Sequence, residues 1–384
     1  MKFEFATAPR ITFGPGTLAE VGPLAAQAGR CALVVTGSQA QRAEPLLAAL
    51  AAHGVATVTY PVVGEPAIST VEAGVARGRE AQCDLVIALG GGSVIDAGKA
   101  MAAMLTNPGE VLDYLEVIGR GRTLPARPAY FIAIPTTAGT GAEVTRNAVL
   151  ASPAHRVKVS LRSALMLPAV AVIDPTLTLD LPAHLTATTG LDALTQVIEP
   201  YVCLRANPLT DGFCEQGLTR VARALRECVF NGRNLEARTD MAVASLMGGL
   251  ALANAGLGAV HGFAGPIGGM YPAPHGAVCA ALLPHVMAAN LQALRARAPQ
   301  HPALGRYQRI AEWLTGRTQA SADAGVEWVG QLVADLGIPK LSAYGLTAEA
   351  VPEVVAKAAQ ASSMKPNPVV LTTGELTAVL EAAW

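Results

Sequence analysis

The sequence predicts an α/β fold in which an N-terminal half with a parallel sheet is followed by an all-helical C-terminal half. In the N-terminal half, short apolar runs of β type alternate with helical stretches, as in βαβ units. Beyond Pro182 the β-type runs nearly disappear. Only 4% of the 384 residues are aromatic, and Ala, Leu and Val supply most of the core, which is typical of a helix-rich α/β protein rather than a β-sandwich.

The strands of the N-terminal half are apolar runs, most of them continuous rather than alternating. This pattern indicates parallel strands covered by helices on both faces. The predicted strands are residues 31–36, 55–60, 84–89, 130–134 and 170–173. Helices are predicted between the first three of them, at residues 39–54 and 70–82.

The C-terminal half shows helical patterns separated by Pro and Gly. The predicted helices are residues 183–203, 211–230, 235–255, 278–297, 304–314, 321–336 and 348–361. The change of character near residues 177–182 predicts two domains, 1–179 and 180–384. We find no internal repeat and no linker long enough to be flexible.

The composition excludes several classes of protein. With 28 Lys and Arg against 29 Asp and Glu, the net charge of −1 gives no basic excess for binding nucleic acid. An apolar fraction of 51% excludes a disordered chain. No convincing run of about 18 apolar residues predicts a membrane span. The first residues also lack the apolar run of a signal peptide, so we expect a cytoplasmic protein whose six cysteines are reduced.

A glycine turn follows the predicted strand 84–89, where Gly90, Gly91, Gly92 and Ser93 lead into a helix. Glycines let the backbone approach an anion, and the helix N-terminus offers free N–H groups and the positive end of its dipole. The turn therefore favours a pyrophosphate ligand. A tight turn without a ligand is the alternative, since the G-x-G-x-x-G dinucleotide fingerprint is absent.

A second candidate binding segment, residues 134–145, follows the strand 130–134. Thr136, Thr137 and Thr140 alternate with glycines there and suit hydrogen bonds to a ribose or an amide. Ligands of open parallel sheets bind at the carboxyl ends of the strands. We therefore expect this segment and the glycine turn to lie at one edge of one sheet.

A candidate metal site lies in the helical half. Asp192 and Gln196 are four residues apart and share one face of a predicted helix. His261 and His275 lie in a later segment rich in Gly and Pro. Carboxylate and imidazole suit Zn²⁺ or Fe²⁺, and such an ion would polarise a bound hydroxyl or carbonyl oxygen. Capping or core roles for the two histidines are the alternative.

Together these segments resemble the iron-containing (group III) alcohol dehydrogenase family. The matches run along nearly the whole chain and occur in the family's order. They are residues 10–16, 90–99, 134–145, Lys158, 172–175, 190–194, His261, 274–276, 282–284 and 367–368.

The resemblance implies a fold of the dehydroquinate synthase type: a dinucleotide-binding α/β domain, an all-helical metal-binding domain and an active site in the cleft between them. It implies NAD(P)-dependent oxidation of an alcohol, or reduction of an aldehyde or ketone, by a homodimer in which the strand near residues 3–12 pairs across subunits. It assigns the cofactor to Gly37, Ser38, Gly91, Gly92, Ser93, Asp96, Thr136, Thr137, Thr140 and Lys158.

The family's metal ligands are one Asp and three His. Asp192, His261 and His275 match three of these positions and are also the catalytic candidates, whereas Gln196 stands where the family usually has His. Gly265 replaces a further His that many members carry near the nicotinamide. The maleylacetate reductase branch of the family implies that the fold can work without metal. The departures therefore leave Fe²⁺, Zn²⁺ and a metal-free site open, and a metal is favoured because Asp192 lies in a largely apolar helix.

The choice of cofactor depends on the loop after the first predicted strand. NAD-preferring members often carry an acid there for the ribose 2′-hydroxyl, whereas this chain has Gly37. Ser38 or Arg42 can meet a 2′-phosphate, so the loop favours NADP(H) slightly and leaves NAD(H) open. At another cofactor position, often Asn in the family, this chain has Glu65.

Three functions are weighed on this scaffold. The first is a metal-assisted alcohol dehydrogenase or aldehyde reductase with a small-molecule alcohol or aldehyde as its substrate. The second is a metal-independent ketone reductase of the maleylacetate type, motivated by Gln196. The third is a glycerol dehydrogenase-like enzyme or a carbohydrate-phosphate cyclase related to dehydroquinate synthase. Oxidation of NAD(P)H by a panel of aldehydes distinguishes a reductase from a cyclase.

Overall fold

The structure is a computed structural model that describes residues 2–384. It divides into two compact units. The first, here called the sheet unit, comprises Ala6–Thr137 and Gly141–Thr178, and the second, the helical unit, comprises residues 2–5, Ala138–Thr140 and Leu179–Trp384. The predicted fold class, a parallel-sheet α/β part and a mostly helical C-terminal part, is confirmed.

The sheet unit contains one parallel sheet and one separate hairpin. Its strands are β1 (Arg10–Phe13), β2 (Cys31–Thr36), β3 (Ala56–Pro61), β4 (Leu85–Gly90), β5 (Tyr130–Pro135), β6 (Asn147–Ser152), β7 (Val157–Arg162) and β8 (Val170–Ile173). Six of them form a parallel sheet in the order β1-β8-β5-β4-β2-β3, and β6 pairs with β7 in an antiparallel hairpin. The five predicted strands correspond to β2, β3, β4, β5 and β8, with ends that agree to within one residue.

The structure contains three strands besides the five that correspond to predicted ones, namely β1 and the hairpin strands β6 and β7. The strand β1 pairs with β8 of the same chain, so residues 10–12 of the segment 3–12, which was expected to pair across subunits, pair within the chain instead. The hairpin of β6 and β7 is not predicted: neither strand is an apolar run buried on both faces, and polar residues such as Asn147 and Lys158 interrupt them.

Helices cover both faces of the parallel sheet. They are α1 (Val21–Ala28), α2 (Glu44–Ala52), α3 (Ile68–Glu80), α4 (Gly92–Thr106) and the short α5 (Val111–Tyr114). On one face, α1 and α2 pack against Val34 and Ile87. On the other face, α3 and α4 pack against Leu33 and Ala88. All six residues of β4 are buried, which is why this strand is continuously apolar.

Nine helices form the core of the helical unit within the described residues. They are α6 (Ala183–Val202), α7 (Pro208–Phe230), α8 (Leu235–Asn254), α9 (Ala259–Met270), α10 (His275–Arg297), α11 (Ala303–Thr315), α12 (Ala322–Asp335), α13 (Val351–Gln360) and α14 (Thr373–Ala382). Seven of them match predicted helices. The helix α7 starts earlier than predicted because Asn207 caps it and Pro208 occupies its first turn. Proline is tolerated there because the N–H that it lacks would have no partner within the helix.

The helix α9 is the main element that the sequence pattern does not predict. It contains Gly262, Gly265 and Pro266, all of which have low helix propensity. Burial overrides this propensity, since Phe263 and Ile267 are both buried in the core of the helical unit. A Cβ on Gly262 would lie 2.7 Å from the methyl carbon of Met364, so this glycine permits close packing.

One helix is long and apolar enough to cross a membrane, by length and composition alone. This helix is α10, and 78% of its most apolar window is buried inside the protein. The helices α8 and α9 pass the same test only as a pair, and they are bent by 96° at the break between them. Burial of this extent is that of a core helix, so these segments are weak evidence for a membrane span.

The close approach of α4 to the sheet leads to a first prediction. A Cβ on Gly98 would lie 2.7 Å from the Cβ of Ala88 and 3.0 Å from the ring of Phe131. Gly98→Ala should therefore destabilise the fold by about 1–3 kcal/mol, as overpacking does. Gly305→Ala is the matched control on α11: its Cβ meets nothing within 4 Å, and it should stabilise by roughly 0.5–1 kcal/mol. Thermal denaturation of both variants checks the opposite signs, and equal shifts would contradict the packing argument.

Candidate metal centre and cofactor-binding segments

Three candidate cofactor segments follow neighbouring strands of the parallel sheet. Gly37 follows β2, Gly91 follows β4 and Thr136 follows β5. These strands are adjacent and parallel, so the three segments lie at the same edge of the sheet. This is the edge at which open α/β sheets bind ligands. The glycine turn and the segment 134–145 therefore lie at one edge of the sheet, as expected.

The glycine turn leads directly into α4. Gly91 precedes the helix, and its carbonyl accepts hydrogen bonds from the N–H groups of Val94 and Ile95. Gly90 cannot carry a side chain, because a Cβ there would lie 2.6 Å from the Cβ of Val94. Ser93 is the second residue of the helix and does not cap it, so its hydroxyl and the first N–H groups of the helix are what the turn offers an anion.

Asp96 and Lys99, one turn apart on α4, bind the chain that follows β5. Lys99 is only 1% exposed, and its Nζ donates to Ala142 O, Thr145 Oγ1 and Asn147 O at 2.8, 3.0 and 2.7 Å. Asp96 Oδ2 accepts from the N–H of Val149 at 3.0 Å. Burial raises the pKa of Asp96 and lowers that of Lys99, and their mutual attraction at 3.6 Å opposes both shifts. Asp96 remains a cofactor candidate, with this structural contact beside it.

The remaining cofactor candidates lie in different surroundings. Thr136 donates its N–H to Gly90 O, and Thr137 lies against Gly91, so both border the glycine turn. Thr140 belongs to the helical unit. Lys158, on β7, is 94% buried and its Nζ lies 3.1 Å from Glu65 Oε1, a pairing that sequence reasoning did not anticipate. Ser38 is exposed.

Four side chains of the helical unit converge from three helices. Asp192 lies on α6, His261 on α9, and His275 and Cys279 on the first two turns of α10. One ligand atom from each lies within 4.8 Å of all the others. Asp192 Oδ1 is 3.5 Å from His261 Nε2 and 3.7 Å from His275 Nε2. The predicted ligands Asp192, His261 and His275 are therefore brought together from positions 83 residues apart in the chain.

The carboxylate of Asp192 shows that this cluster fits a cation. Asp192 is 1% exposed, and its Oδ1 has no hydrogen-bond partner among the described residues. A buried carboxylate oxygen without a partner is costly, and buried charges are ordinarily paired or bound to metal. The donor set of carboxylate, imidazole and thiol suits Zn²⁺ or Fe²⁺.

A second carboxylate orients His261 from the opposite side of its ring. Glu199 Oε2 lies 2.6 Å from His261 Nδ1, and Glu199 Oε1 accepts from the N–H of Val260 at 2.7 Å. Because a carboxylate only accepts, Nδ1 carries a proton, and Nε2 is the nitrogen that faces Asp192 in the cluster. Sequence analysis assigned Glu199 no role, although it lies seven residues after Asp192 on the same helix face.

The ionisable groups of the cluster perturb one another. Burial lowers the pKa of His275, but Cys279 and Asp192 outweigh this effect and raise it to about 9. Burial likewise opposes the rise in the pKa of His261, which Cys279 and Glu199 hold well above its ordinary value. The pKa of Asp192 is lowered against the effect of burial, because His275 and His261 stabilise its charge. A cation that binds here must therefore displace protons from the imidazoles.

The structure also shows the surroundings of Gln196 and Gly265, the two positions that depart from the pattern implied by the resemblance. Gln196 is buried on α6, and its Nε2 donates to Gly139 O at 2.8 Å. A Cβ added at Gly265 would meet no atom within 4 Å, so there is open space at the position where the resemblance implies a histidine. Whether Gln196 ligates a metal stays a prediction.

Comparisons with known proteins cover both parts of the chain. The family model described as "Iron-containing alcohol dehydrogenase" matches residues 8–175, and the model "Fe-containing alcohol dehydrogenase family, C-terminal" matches residues 186–384. Long-chain-alcohol dehydrogenase 1 of Geobacillus thermodenitrificans (strain NG80-2) is 39% identical over 326 residues, which is 84% of this chain and 80% of that protein.

Solved structures agree over the full length. A crystal structure of 1,3-propanediol oxidoreductase has a TM-score of 0.93 and 33% identity, and each chain is covered to 100%. Sulfoacetaldehyde reductase from Bifidobacterium kashiwanohense in complex with NAD+ has a TM-score of 0.87 and 28% identity, covering 100% of this chain and 99% of that one. The resemblance inferred from the motifs is confirmed: the chain belongs to the iron-containing alcohol dehydrogenase family and is an oxidoreductase acting on CH–OH groups.

Proposed function

We propose that this protein is a metal-dependent, NAD(P)-linked alcohol dehydrogenase that interconverts an alcohol and its aldehyde or ketone. The observation that carries the proposal is the cluster of Asp192, His261 and His275, whose buried carboxylate oxygen Oδ1 has no hydrogen-bond partner among residues 2–384. Membership of an iron-containing dehydrogenase family supports the same conclusion. We assign cofactor binding to residues 1–179 and metal and substrate binding to residues 180–384.

In this proposal the bound cation supplies a Lewis acid for the substrate oxygen, and the nicotinamide supplies the hydride acceptor or donor. Asp192 contributes the negative charge that offsets the cation. His261 contributes a neutral nitrogen whose direction is fixed by Glu199. His275 starts α10, and its side chain keeps about a third of its exposure, so it forms the accessible side of the cluster.

The sheet unit contributes the groups that hold the nucleotide. The turn at Gly91, Gly92 and Ser93 presents helix N–H groups to a pyrophosphate. Thr136 and Thr137 border this turn and offer hydroxyls, and Lys158 adds a buried cation that Glu65 partly neutralises. With Gly265 in place of an imidazole, we propose that the substrate proton leaves through water or a ribose hydroxyl.

The relatives differ in the substrates that their names carry, namely a long-chain alcohol, 1,3-propanediol and sulfoacetaldehyde. We therefore propose only the class, a small-molecule alcohol or carbonyl compound of any chain length, and leave its identity to a substrate screen with NAD(H) and NADP(H). We further propose a cytoplasmic homodimer. Sedimentation velocity tests the dimer, and a sedimentation coefficient for a single 384-residue chain would exclude it.

Chelation is expected to separate the two candidate mechanisms. If the cluster holds a catalytic metal, dialysis against a chelator removes both the metal and the turnover, and added Fe²⁺ or Zn²⁺ restores them. The metal-independent alternative is motivated by Gln196, which offers a neutral amide where the resemblance implies a histidine ligand. That alternative expects metal-free protein to keep its full rate. Chelator saturated with metal before dialysis is the control for direct effects of the chelator.

The position of Gly37 leads to a prediction about cofactor choice. Its backbone is outside the left-handed region, and an added Cβ would come no closer than 4.0 Å to Val94 Cγ2, so a side chain fits. Gly37→Asp should repel a 2′-phosphate and lower the ratio of kcat/KM for NADPH over NADH by about tenfold, or about 1.4 kcal/mol. Gly37→Asn has the same shape without the charge and should change the ratio less. Equal effects of both variants would show that size, not charge, decides.

A further inference from the structure

The metal cluster contains a fourth donor that the family comparison does not assign. Cys279 lies one helical turn after His275 on α10, and its Sγ is 3.7 Å from His275 Nε2 and 4.0 Å from His261 Nε2. It is fully buried and belongs to the group of four atoms that lie within 4.8 Å of one another. A thiol in this place faces the same point as the two imidazoles and the carboxylate.

The residue expected at the fourth position is less suited to the role. The Nε2 of Gln196 is committed to Gly139 O at 2.8 Å, and an amide oxygen is a neutral, weak donor. A thiolate carries a charge and is a strong ligand for borderline-soft cations. The Oδ1 of Asp192 is buried without a hydrogen-bond partner among the described residues, which also indicates that a cation belongs between these groups.

We infer that Cys279 Sγ is the fourth protein ligand, so that the metal is bound by one carboxylate, two imidazoles and one thiolate. The thiol loses its proton to solvent as the sulfur binds, and no redox change takes place. This donor set favours Zn²⁺ over the harder Mn²⁺ or Mg²⁺. Zn²⁺ can expand from four to five ligands, which leaves a place for a substrate oxygen. The inference rests on the proposed metal-dependent function.

The other thiols differ from Cys279 in ways that make them useful controls. Burial raises the pKa of the thiol of Cys228 to about 11, in the apolar core of the helical unit. In the sheet unit, Cys31 Sγ and Cys83 Sγ lie 3.5 Å apart and are half-buried, so this pair is where an added metal could bind adventitiously. Removing Cys83 abolishes that pair without touching the cluster.

The test is Co²⁺ titration of the metal-stripped protein, with detection of the thiolate-to-cobalt charge-transfer absorption in the near ultraviolet. We expect one Co²⁺ per chain with this absorption. Cys279→Ser should lose the absorption and raise the Co²⁺ dissociation constant by at least roughly 10–100-fold. This is the range found when a residue that hydrogen-bonds to a metal ligand is lost, and loss of a ligand itself should cost no less. Cys228→Ala and Cys83→Ala should keep both. Far-UV circular dichroism establishes that each variant is folded.

The results that would overturn the inference can be distinguished from one another. Stoichiometric Co²⁺ binding without charge-transfer absorption, or with the same dissociation constant in Cys279→Ser, would exclude sulfur ligation while leaving the metal-dependent function intact. Failure of the unmodified protein to bind Co²⁺ at all would remove the metal site and the proposed function with it. Absorption that survives in Cys279→Ser and disappears in Cys83→Ala would assign it to the pair in the sheet unit.

Discussion

The Asp192→Asn variant is expected to lose its bound metal and most of its turnover. Asparagine has nearly the same shape as aspartate, so the packing of α6 is preserved while the negative charge that attracts the cation is removed. Losing Lewis-acid assistance should cost about 3 kcal/mol of transition-state stabilisation, or roughly 10²-fold in kcat/KM. Elemental analysis and steady-state kinetics on the same preparation measure both effects.

Asp180→Asn is the matched control for this prediction. It makes the same chemical change in the helical unit at a side chain that is 67% exposed and pairs on the surface with Arg233. Surface pairs contribute little to stability, so this variant should keep its metal and its rate. Full turnover of a metal-free Asp192→Asn protein would show that the cluster has no catalytic role, and it would favour the metal-independent alternative.

The sequence predicts the parallel sheet well because its strands have one environment throughout. The strand β4 is buried on both faces over all six residues, so the apolar run in the sequence coincides with the strand. The glycine turn is equally local, since Gly90 has no room for a Cβ beside Val94 in the same segment. Features determined by neighbours in the chain can be predicted from the chain.

Features determined by distant partners escape such prediction. The glycines and the proline of α9 argue against a helix locally, and only contacts with residues such as Met364, about 100 positions away, show why one forms. The same holds in the sheet unit for Lys99. Its residue type indicates a surface position, yet it is buried with three hydrogen bonds to residues 43 to 48 positions later.

The residues of the metal cluster also fall into those that the sequence identifies and those that only the structure identifies. Asp192, His261 and His275 could be named from motifs, and the structure brings them together, although their action as ligands stays a prediction. Cys279 and Glu199 could not be named, because spacing along the chain does not reveal which side chains of α6 and α10 point to one spot. The available sequence indications were the i, i+4 relation of Cys279 to His275 and the i, i+7 relation of Glu199 to Asp192.

Glu199→Gln is expected to weaken metal binding by roughly 10–100-fold, the range found when partners of metal-binding histidines are lost. Glu199 acts through His261 and is a positioning residue. The readout is therefore the metal dissociation constant, together with turnover over a range of metal concentrations. Excess metal should restore most of the rate, because the ligand atoms themselves are unchanged. A lower rate with an unchanged dissociation constant, and no recovery in excess metal, would contradict this role.

The chemistry of the two groups explains why glutamine cannot substitute for glutamate here. The carboxylate of Glu199 accepts one hydrogen bond from His261 Nδ1 and another from the N–H of Val260. An amide has only one oxygen, so in one of these two contacts the NH₂ group of the glutamine would face another N–H donor. If the oxygen stays on Val260, the Nδ1 proton has no acceptor, and the imidazole can exchange its protonated nitrogen or turn. Either change withdraws the Nε2 lone pair from the cluster, and because excess metal selects the correctly oriented imidazole, recovery at high metal separates positioning from a loss of fold.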